Sequence, residues 1–391
     1  MPAVGLREWM NLTAVIARGE LLRYGRGNAG FTARFEEKLA SLIGVRHALT
    51  VNSGSNALIT ALAAAGIGPG DEVLVPAYTW VATALAPMAV GAVPVLVNID
   101  ETLTIDPHDI ERKITPHTRA ILPVHMQNVV CDMDAIMAIA RRHNLLVIED
   151  ACQAVGVTYK GRRVGSIGDL GAFSFNHHKN ITSGEGGAVM TSDERLFVRA
   201  RMFHDPGAFI RDHEPTREPL FSGLNCRVSE LTGAVLEAQI DRLEPLLNTL
   251  RARYPGMASI FADQAHCRPS PHNDPDNAVS LSVIFDDPEE ARCFGQTRGA
   301  SRLIETGRHV FTNWEAVLQK RSFHERMNPH QWAHREITYR AEDYQTTLDI
   351  LSRTCRVSLG PQYPAPVMLW HKRALRAALS PCLARPLASP A

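Results

Sequence analysis

From residue 46 to about residue 191, short apolar runs alternate with segments of helical period. His47 to Val51 predicts a strand and Ser55 to Gly66 an Ala/Leu-rich helix, with Gly68-Pro-Gly-Asp71 supplying a turn. Four more apolar runs follow, Glu72 to Pro76, Val93 to Val97, Ala120 to Val124 and Leu145 to Ile148, each separated by a helix-length segment. Near-continuous Val/Ile/Leu strands alternating with helices predict a mainly parallel sheet covered on both faces, hence an α/β fold. Ligands of such sheets sit beyond the carboxyl ends of the strands, so the polar residues there are the candidates. Residues from about 192 lose the alternation and read as loop, ahead of a long helix from about Ser229. Past residue 250 the texture changes to a turn-rich stretch, Arg268 to Asp276, and a strand from Ala278 to Phe285. The expected organisation is an N-terminal arm over residues 1–30, a large domain over 31–250 and a small domain over 251–391. The Pro-rich end from Pro381 is expected to fray.

Composition narrows the function classes. At 391 residues with 45% hydrophobic and 21% charged positions, the chain can bury a large core. Its 41 basic and 41 acidic residues cancel, which removes the bulk electrostatic case for nucleic acid or an anionic membrane. The longest apolar run, Ala84 to Val97, is interrupted by prolines and is shorter than the roughly 18 residues that span a bilayer. Arg7 and Glu8 stand where a signal peptide would need apolar residues, and seven scattered cysteines form no C-x-x-C pair. The expectation is a cytoplasmic enzyme with reduced thiols.

Four features fall just beyond predicted strand ends. Asn52-Ser-Gly-Ser-Asn56 joins a strand to a helix N-terminus, where free N–H groups and the helix dipole suit an anion. Asp150 closes an apolar strand in Val147-Ile-Glu-Asp-Ala-Cys-Gln153, where a carboxylate needs a cation or hydrogen bonds. Lys179 stands in the polar, glycine-rich loop Phe173 to Gly187, and a lysine held by its surroundings can become a nucleophile toward a carbonyl. Trp80, in Pro76-Ala-Tyr-Thr-Trp80, can stack on a planar ring. Taken singly these are a helix cap, a turn cap, a solvated charge and a core ring. Jointly they describe a ring with a phosphate, a nitrogen wanting a carboxylate and an aldehyde wanting a lysine, which is pyridoxal phosphate.

The chain resembles the sugar aminotransferases of the family named after DegT, DnrJ, EryC and StrS. The resemblance runs from about Tyr24 to Leu243, through Ser53-Gly-Ser55, Gly68 to Pro76, Glu149 to Ala154, Ser174 to Gly187 and Gly223 to Glu230. It implies the aspartate aminotransferase-like fold of fold type I pyridoxal phosphate enzymes, with a mainly parallel, seven-stranded-type sheet in the large domain and a smaller C-terminal α/β domain. It also implies roles. Lys179 binds the cofactor aldehyde and moves the substrate proton, Asp150 pairs with the ring nitrogen, and Gln153 lies near the ring hydroxyl. Trp80 stacks on the ring, while Gly54, Ser55 and Ser174 hold the phosphate. Asn225 reaches the phosphate of a neighbouring subunit, which makes the active unit a homodimer with shared sites. A family branch that dehydrates its sugar carries histidine where Lys179 stands, so transamination is favoured, with His177 and His178 as surrounding groups.

The implied partners are L-glutamate or L-glutamine as amino donor and a keto-sugar as acceptor. Pro123 to Asp134 together with Glu149 to Ala154 is most similar to transaminases that make an amino-octulosonate for bacterial surface polysaccharide. The C-terminal third departs from the family pattern after Gly307 to Trp314, which keeps open amination of a non-sugar ketone in a secondary-metabolite pathway. Candidate substrate contacts are Tyr24 and Arg26 in the arm, His125 after a strand, Arg227 beside Asn225, and Asn313 with Trp314 in the small domain. An arginine fork is the expected clamp for the donor carboxylate. The histidines and cysteines lack metal-site spacing, so no metal is expected.

Overall fold

The computed structural model describes residues 4–24, 29–211 and 215–379. Arg26 and the segment from Pro381 lie outside the described residues. The strands are, in chain order, β1 (His47–Val51), β2 (Glu72–Pro76), β3 (Val93–Val97), β4 (Thr118–Ile121), β5 (Leu146–Asp150), β6 (Thr158–Tyr159), β7 (Arg162–Arg163), β8 (Leu170–Ser174), β9 (Gly187–Thr191), β10 (Cys267–Pro269), β11 (Leu281–Phe285), β12 (Ala300–Arg302) and β13 (Thr354–Val357). Seven form the large sheet in the order β1-β9-β8-β5-β4-β2-β3. β2, β3, β4, β5 and β8 pair in parallel, and only β9 runs against its neighbours β1 and β8. Every residue of β2, β3, β8 and β9 is buried, as expected of strands covered on both faces.

Local chemistry explains the crossovers. Ser53 caps the helix Gly54–Ala64 by accepting from Asn56 N at 3.1 Å, and Asp132 caps Met133–His143, which ends at the left-handed Asn144. The apolar run Ala84 to Val97 divides at the left-handed Gly91 into the end of the helix Ala82–Val90 and strand β3. The segment after residue 192, expected as loop, carries a helix at Glu194–His204; Asp193 caps it by accepting from Leu196 N at 3.0 Å. Its dense charges had masked a period that capping and contact with the helix Gly54–Ala64 stabilise.

The N-terminal helix Leu6–Arg18 lies on the helix Glu230–Gln239, with Asn11 donating to Glu237 and Gln239 donating to the buried Glu8. The small antiparallel sheet runs β10-β11-β13-β12. The helix Leu243–Ala258 passes without a break through residues 250 and 251, where the sequence suggested a change of domain. One hydrophobic cluster joins both sheets, so the small domain is packed on the large one. Cys131, Cys152, Cys226, Cys267 and Cys355 are buried free thiols, but Cys293 is disulfide-bonded, which corrects the all-reduced reading. Among the described residues, no helix is long and apolar enough to cross a membrane, and no cluster of His, Cys, Asp and Glu could hold a metal.

Candidate active site

The carboxyl ends of β1, β2, β4, β5 and β8 open into one cavity of about 650 Å³. It is lined by Gly54, Ser55, Trp80, Asp150, Gln153, Ser174 and Lys179, seven of the residues that the motifs singled out. Asp150, at the end of β5, is only 4% exposed. Its Oδ1 accepts from Cys152 N at 3.1 Å and its Oδ2 accepts from the Thr83 hydroxyl at 2.7 Å. With that proton committed, the Thr79 hydroxyl, 2.8 Å from Thr83 Oγ1, is the donor in the second link of the chain. No cation pairs with Asp150 among the described residues. A buried carboxylate in that state is costly unless a cationic group of a ligand completes it.

The neighbouring Glu149 fixes the strand end. It is fully buried and accepts from Ile167 N at 2.6 Å, Gly168 N at 2.7 Å, Gly165 N at 2.8 Å and His125 Nε2 at 3.0 Å. His125 in turn accepts from Cys131 N at its Nδ1. Both ring nitrogens are therefore used and the ring is sealed from the cavity, which corrects its expected contact with substrate. The histidine supports the strand from behind instead.

At the opposite corner, the cap Ser53 and the first helical residues face Ser174. A Cβ on Gly54 would fall 2.6 Å from Ser174 Cβ and 3.1 Å from Cys152 Sγ, so only glycine fits this cradle beside the helix N-terminus. Burial and the Asp150 charge beside it push the Cys152 thiol well up, keeping it neutral. Lys179 is anchored through its backbone N–H to Asn176 O at 3.0 Å; its side-chain amine has no hydrogen-bond partner among the described residues. Trp80 is partly exposed over the cavity, with the Arg308 guanidinium 5.6 Å from its ring and His309 tilted beside it at 5.4 Å. Gln127 and Asn128 both adopt left-handed backbone at the cavity wall, a strained arrangement for non-glycine residues; Gln127 N donates to Gln153 Oε1 at 3.3 Å and Asn128 N to Gln153 O at 3.0 Å.

The cavity thus carries a buried carboxylate, a free lysine, an aromatic face and a glycine cradle at a helix N-terminus, the donor set that pyridoxal phosphate requires. Other expected contacts stand apart from it. Trp314 is core, its Nε1 donating to Arg308 O at 2.8 Å, because the segment folds back on itself. Asn313 is exposed and donates to Gly307 O at 2.9 Å. The Tyr24 hydroxyl meets His204 Nε2 at 3.2 Å; burial lowers that histidine to about 3, so it accepts. Arg227 is closed on Asp205, and the exposed Asn225 does not line this chain's cavity. Among the lining residues that the sequence reading did not single out are His309 and Arg356. His309 follows Gly307 within a quoted motif, whereas Arg356 lies in a short small-domain strand with no linear signal.

Comparison with known proteins agrees with this arrangement. The chain is 46% identical over 217 residues to GDP-perosamine synthase of Caulobacter vibrioides, covering 55% of this chain and 57% of that protein. It is 40% identical over 251 residues to L-glutamine:2-deoxy-scyllo-inosose aminotransferase of Micromonospora echinospora, covering 62% and 60%. The chain therefore spans under two thirds of the length of these curated relatives. The crystal structure of S. venezuelae DesV in complex with a ketimine intermediate superposes with a TM-score of 0.78 at 30% identity, over 96% of this chain and 94% of that one. The profile of one family matches residues 7–357, and the chain belongs to it: the DegT/DnrJ/EryC1/StrS aminotransferase family.

Proposed function

We propose that the protein is a pyridoxal phosphate-dependent aminotransferase that moves an amino group from L-glutamine or L-glutamate to a keto-sugar in two alternating half-reactions. The observation that carries this reading is the buried Asp150, unpaired by any cation among the described residues, in one cavity with Lys179. Pyridoxal phosphate, when bound, supplies an aldehyde that captures amines and a ring that accepts the electron pair freed from the substrate carbon. Asp150 would keep the ring nitrogen protonated, and Thr83 with Cys152 N holds the carboxylate in place. Gly54, Ser55 and Ser174 would hold the phosphate, Gln153 the ring hydroxyl, and Trp80 would supply an aromatic face for the ring. Lys179 Nζ would hold the cofactor through its aldehyde and, as a free amine, would move the proton at the substrate carbon.

The acceptor proposed is a keto-sugar; GDP-perosamine synthase among the relatives supports it. The finer reading, an oxo-octulosonate-type sugar acid, rests on the stretches 123–134 and 149–154. A homodimer is supported by Asn225, which is exposed and does not line its own chain's cavity, and by exposed apolar residues nearby in the chain. Leu224 is 54% exposed, and Leu22, bridged to Ser229, is 55% exposed. The test is the visible spectrum of the purified protein before and after L-glutamine or L-glutamate. A yellow protein that bleaches on addition of donor supports the reading; a protein that cannot be made yellow with pyridoxal phosphate sinks it.

A further inference from the structure

The sequence pattern puts Asn313 and Trp314 at the substrate, but the structure gives their side-chain donors other work. Asn313 Nδ2 donates to Gly307 O at 2.9 Å and Trp314 Nε1 to Arg308 O at 2.8 Å. Gly307 itself is left-handed, with φ of 60°, a conformation that glycine adopts without strain. Further along, Val310 and Phe311 are buried, and Val310 bridges Tyr78. Thr79 N donates to His309 O at 2.9 Å and Phe311 N to Ala77 O at 3.1 Å. The turn 307–314 is therefore fixed twice, by its own side chains and by the large-domain segment 77–79.

What this fixed turn carries is Arg308. The residue is exposed, and among the described residues its guanidinium has neither a hydrogen bond nor an ion pair. It does not line the cavity. Its contact is the Trp80 ring, with Cζ 5.6 Å from the ring centroid. Trp80 needs such support. Its main chain is held, since Trp80 O accepts from Thr83 N at 3.0 Å, but its side chain is 39% exposed at the cavity lining. A ring exposed to that degree keeps one rotamer only where neighbours pack against it. The ring and cation contacts of Trp80 among the described residues are His309, tilted at 5.4 Å, and Arg308, and both come from the turn. Tryptophan is the strongest aromatic partner for a cation, and a planar guanidinium suits its face.

Resting on the aminotransferase reading, and on the place of Trp80 in it, we infer that Arg308 is a positioning residue for the cofactor. From outside the cavity it holds the Trp80 ring in the orientation that meets pyridoxal phosphate. The turn delivers the guanidinium, the guanidinium fixes the indole, and the indole meets the cofactor. Arg308 touches neither cofactor nor substrate and acts through Trp80 alone. A solvated arginine would have no such effect, and an arginine that meets an anionic substrate would act without Trp80. The two residues are therefore energetically coupled, and the effect of removing Arg308 vanishes where Trp80 is absent.

The test titrates pyridoxal phosphate into the cofactor-free full chain, followed by visible absorbance and by circular dichroism of the cofactor band. Arg308→Gln should weaken cofactor binding roughly 2- to 5-fold and reduce the induced dichroism, with the melting temperature of the cofactor-free protein close to wild type. Arg308→Lys, which keeps the charge and loses the planar stack, should fall between the two. Trp80→Leu should weaken binding about 10-fold, and adding Arg308→Gln to it should change affinity by less than about 1.5-fold. Wild-type affinity and dichroism in Arg308→Gln would overturn the assignment while leaving the aminotransferase reading intact. The same loss from Arg308→Gln with and without Trp80 would also overturn it, because Arg308 would then act by another route. So would a tenfold rise in KM for the amino donor with unchanged cofactor affinity, which would make Arg308 a substrate contact. A wild-type protein that binds no pyridoxal phosphate would remove the parent reading itself.

Discussion

The two walls of the cleft are built on opposite principles. On the large-domain wall, Asp150 and Glu149 are buried and their oxygens are met by backbone N–H groups, a hydroxyl and a histidine. On the small-domain wall, Arg356 has no hydrogen bond or ion pair among the described residues, and His309 keeps one ring nitrogen open. A wall committed to protein partners suits a cofactor that never changes. A wall of uncommitted groups suits substrates that come and go, and different sets of such groups on one scaffold give different substrates.

The sharpest way to break this contrast is at the centre. Lys179→Ala should lower turnover on the order of 10³-fold or more, with far-ultraviolet circular dichroism and melting temperature close to wild type, since the amine has no hydrogen-bond partner among the described residues. If the variant kept wild-type activity, the committed wall would not be catalytic. In the proposed homodimer with shared sites, mixing it with Asn225→Ala should recover activity, because one of the two sites would then be whole. Next in size, Asp150→Asn removes the charge proposed to keep the ring nitrogen protonated and should lower turnover by roughly 10²–10³-fold. The cofactor-free variant should melt no lower than wild type, because it no longer buries a carboxylate without a cation. A marked loss of stability would mean that Asp150 serves the fold.

This division also explains what was legible in the sequence. The alternation from His47 to Ile148 encoded the large sheet because each strand is buried on both faces, and the committed wall sits in short continuous motifs directly after those strands. Gly54, Asp150, Ser174 and Lys179 could be named without coordinates for that reason. The substrate wall is assembled across distance. Arg356 becomes visible only once β13 pairs with β11 and β12, and His309 only once its backbone carbonyl accepts from Thr79 N at 2.9 Å. His125 and Trp314 were misread for a related reason: burial reversed what their polar atoms and ring suggested. His125 follows a strand end as a ligand-binding residue would, but its partner Glu149 lies on the neighbouring strand β5.

Glu149→Gln tests the scaffold behind the committed wall. Each of its oxygens accepts two donors, so an amide nitrogen in either orientation faces two buried N–H groups. Two unsatisfied donors should cost about 3 kcal/mol, read as a lower denaturant midpoint of the cofactor-free protein. A neutral outcome would mean that the loop at Gly165–Gly168 relaxes, and that Asp150 is positioned by Thr83 and Cys152 alone.

The smallest effect belongs to His309, on the open wall. Its Nδ1 lies 3.2 Å from Thr306 O, a carbonyl that can only accept, so Nδ1 carries the proton and Nε2 is left as an acceptor. Burial first, then the charges of Lys179 and Arg356, lower its pKa below the ordinary imidazole value. The folded protein therefore favours the neutral ring, and as pH falls the unfolded chain takes up this proton first. The stability contribution of His309 is present above about pH 6.5 and is lost as pH falls below it. His309→Gln should flatten the fall in melting temperature between about pH 7.5 and about pH 5.5, and a steeper fall would reverse the assigned sign. In turnover the same variant should lower kcat/KM for the keto-sugar by only about 2- to 10-fold, the value of one neutral hydrogen bond. A loss as large as that of Asp150→Asn would place His309 on the committed wall and erase the distinction between the two.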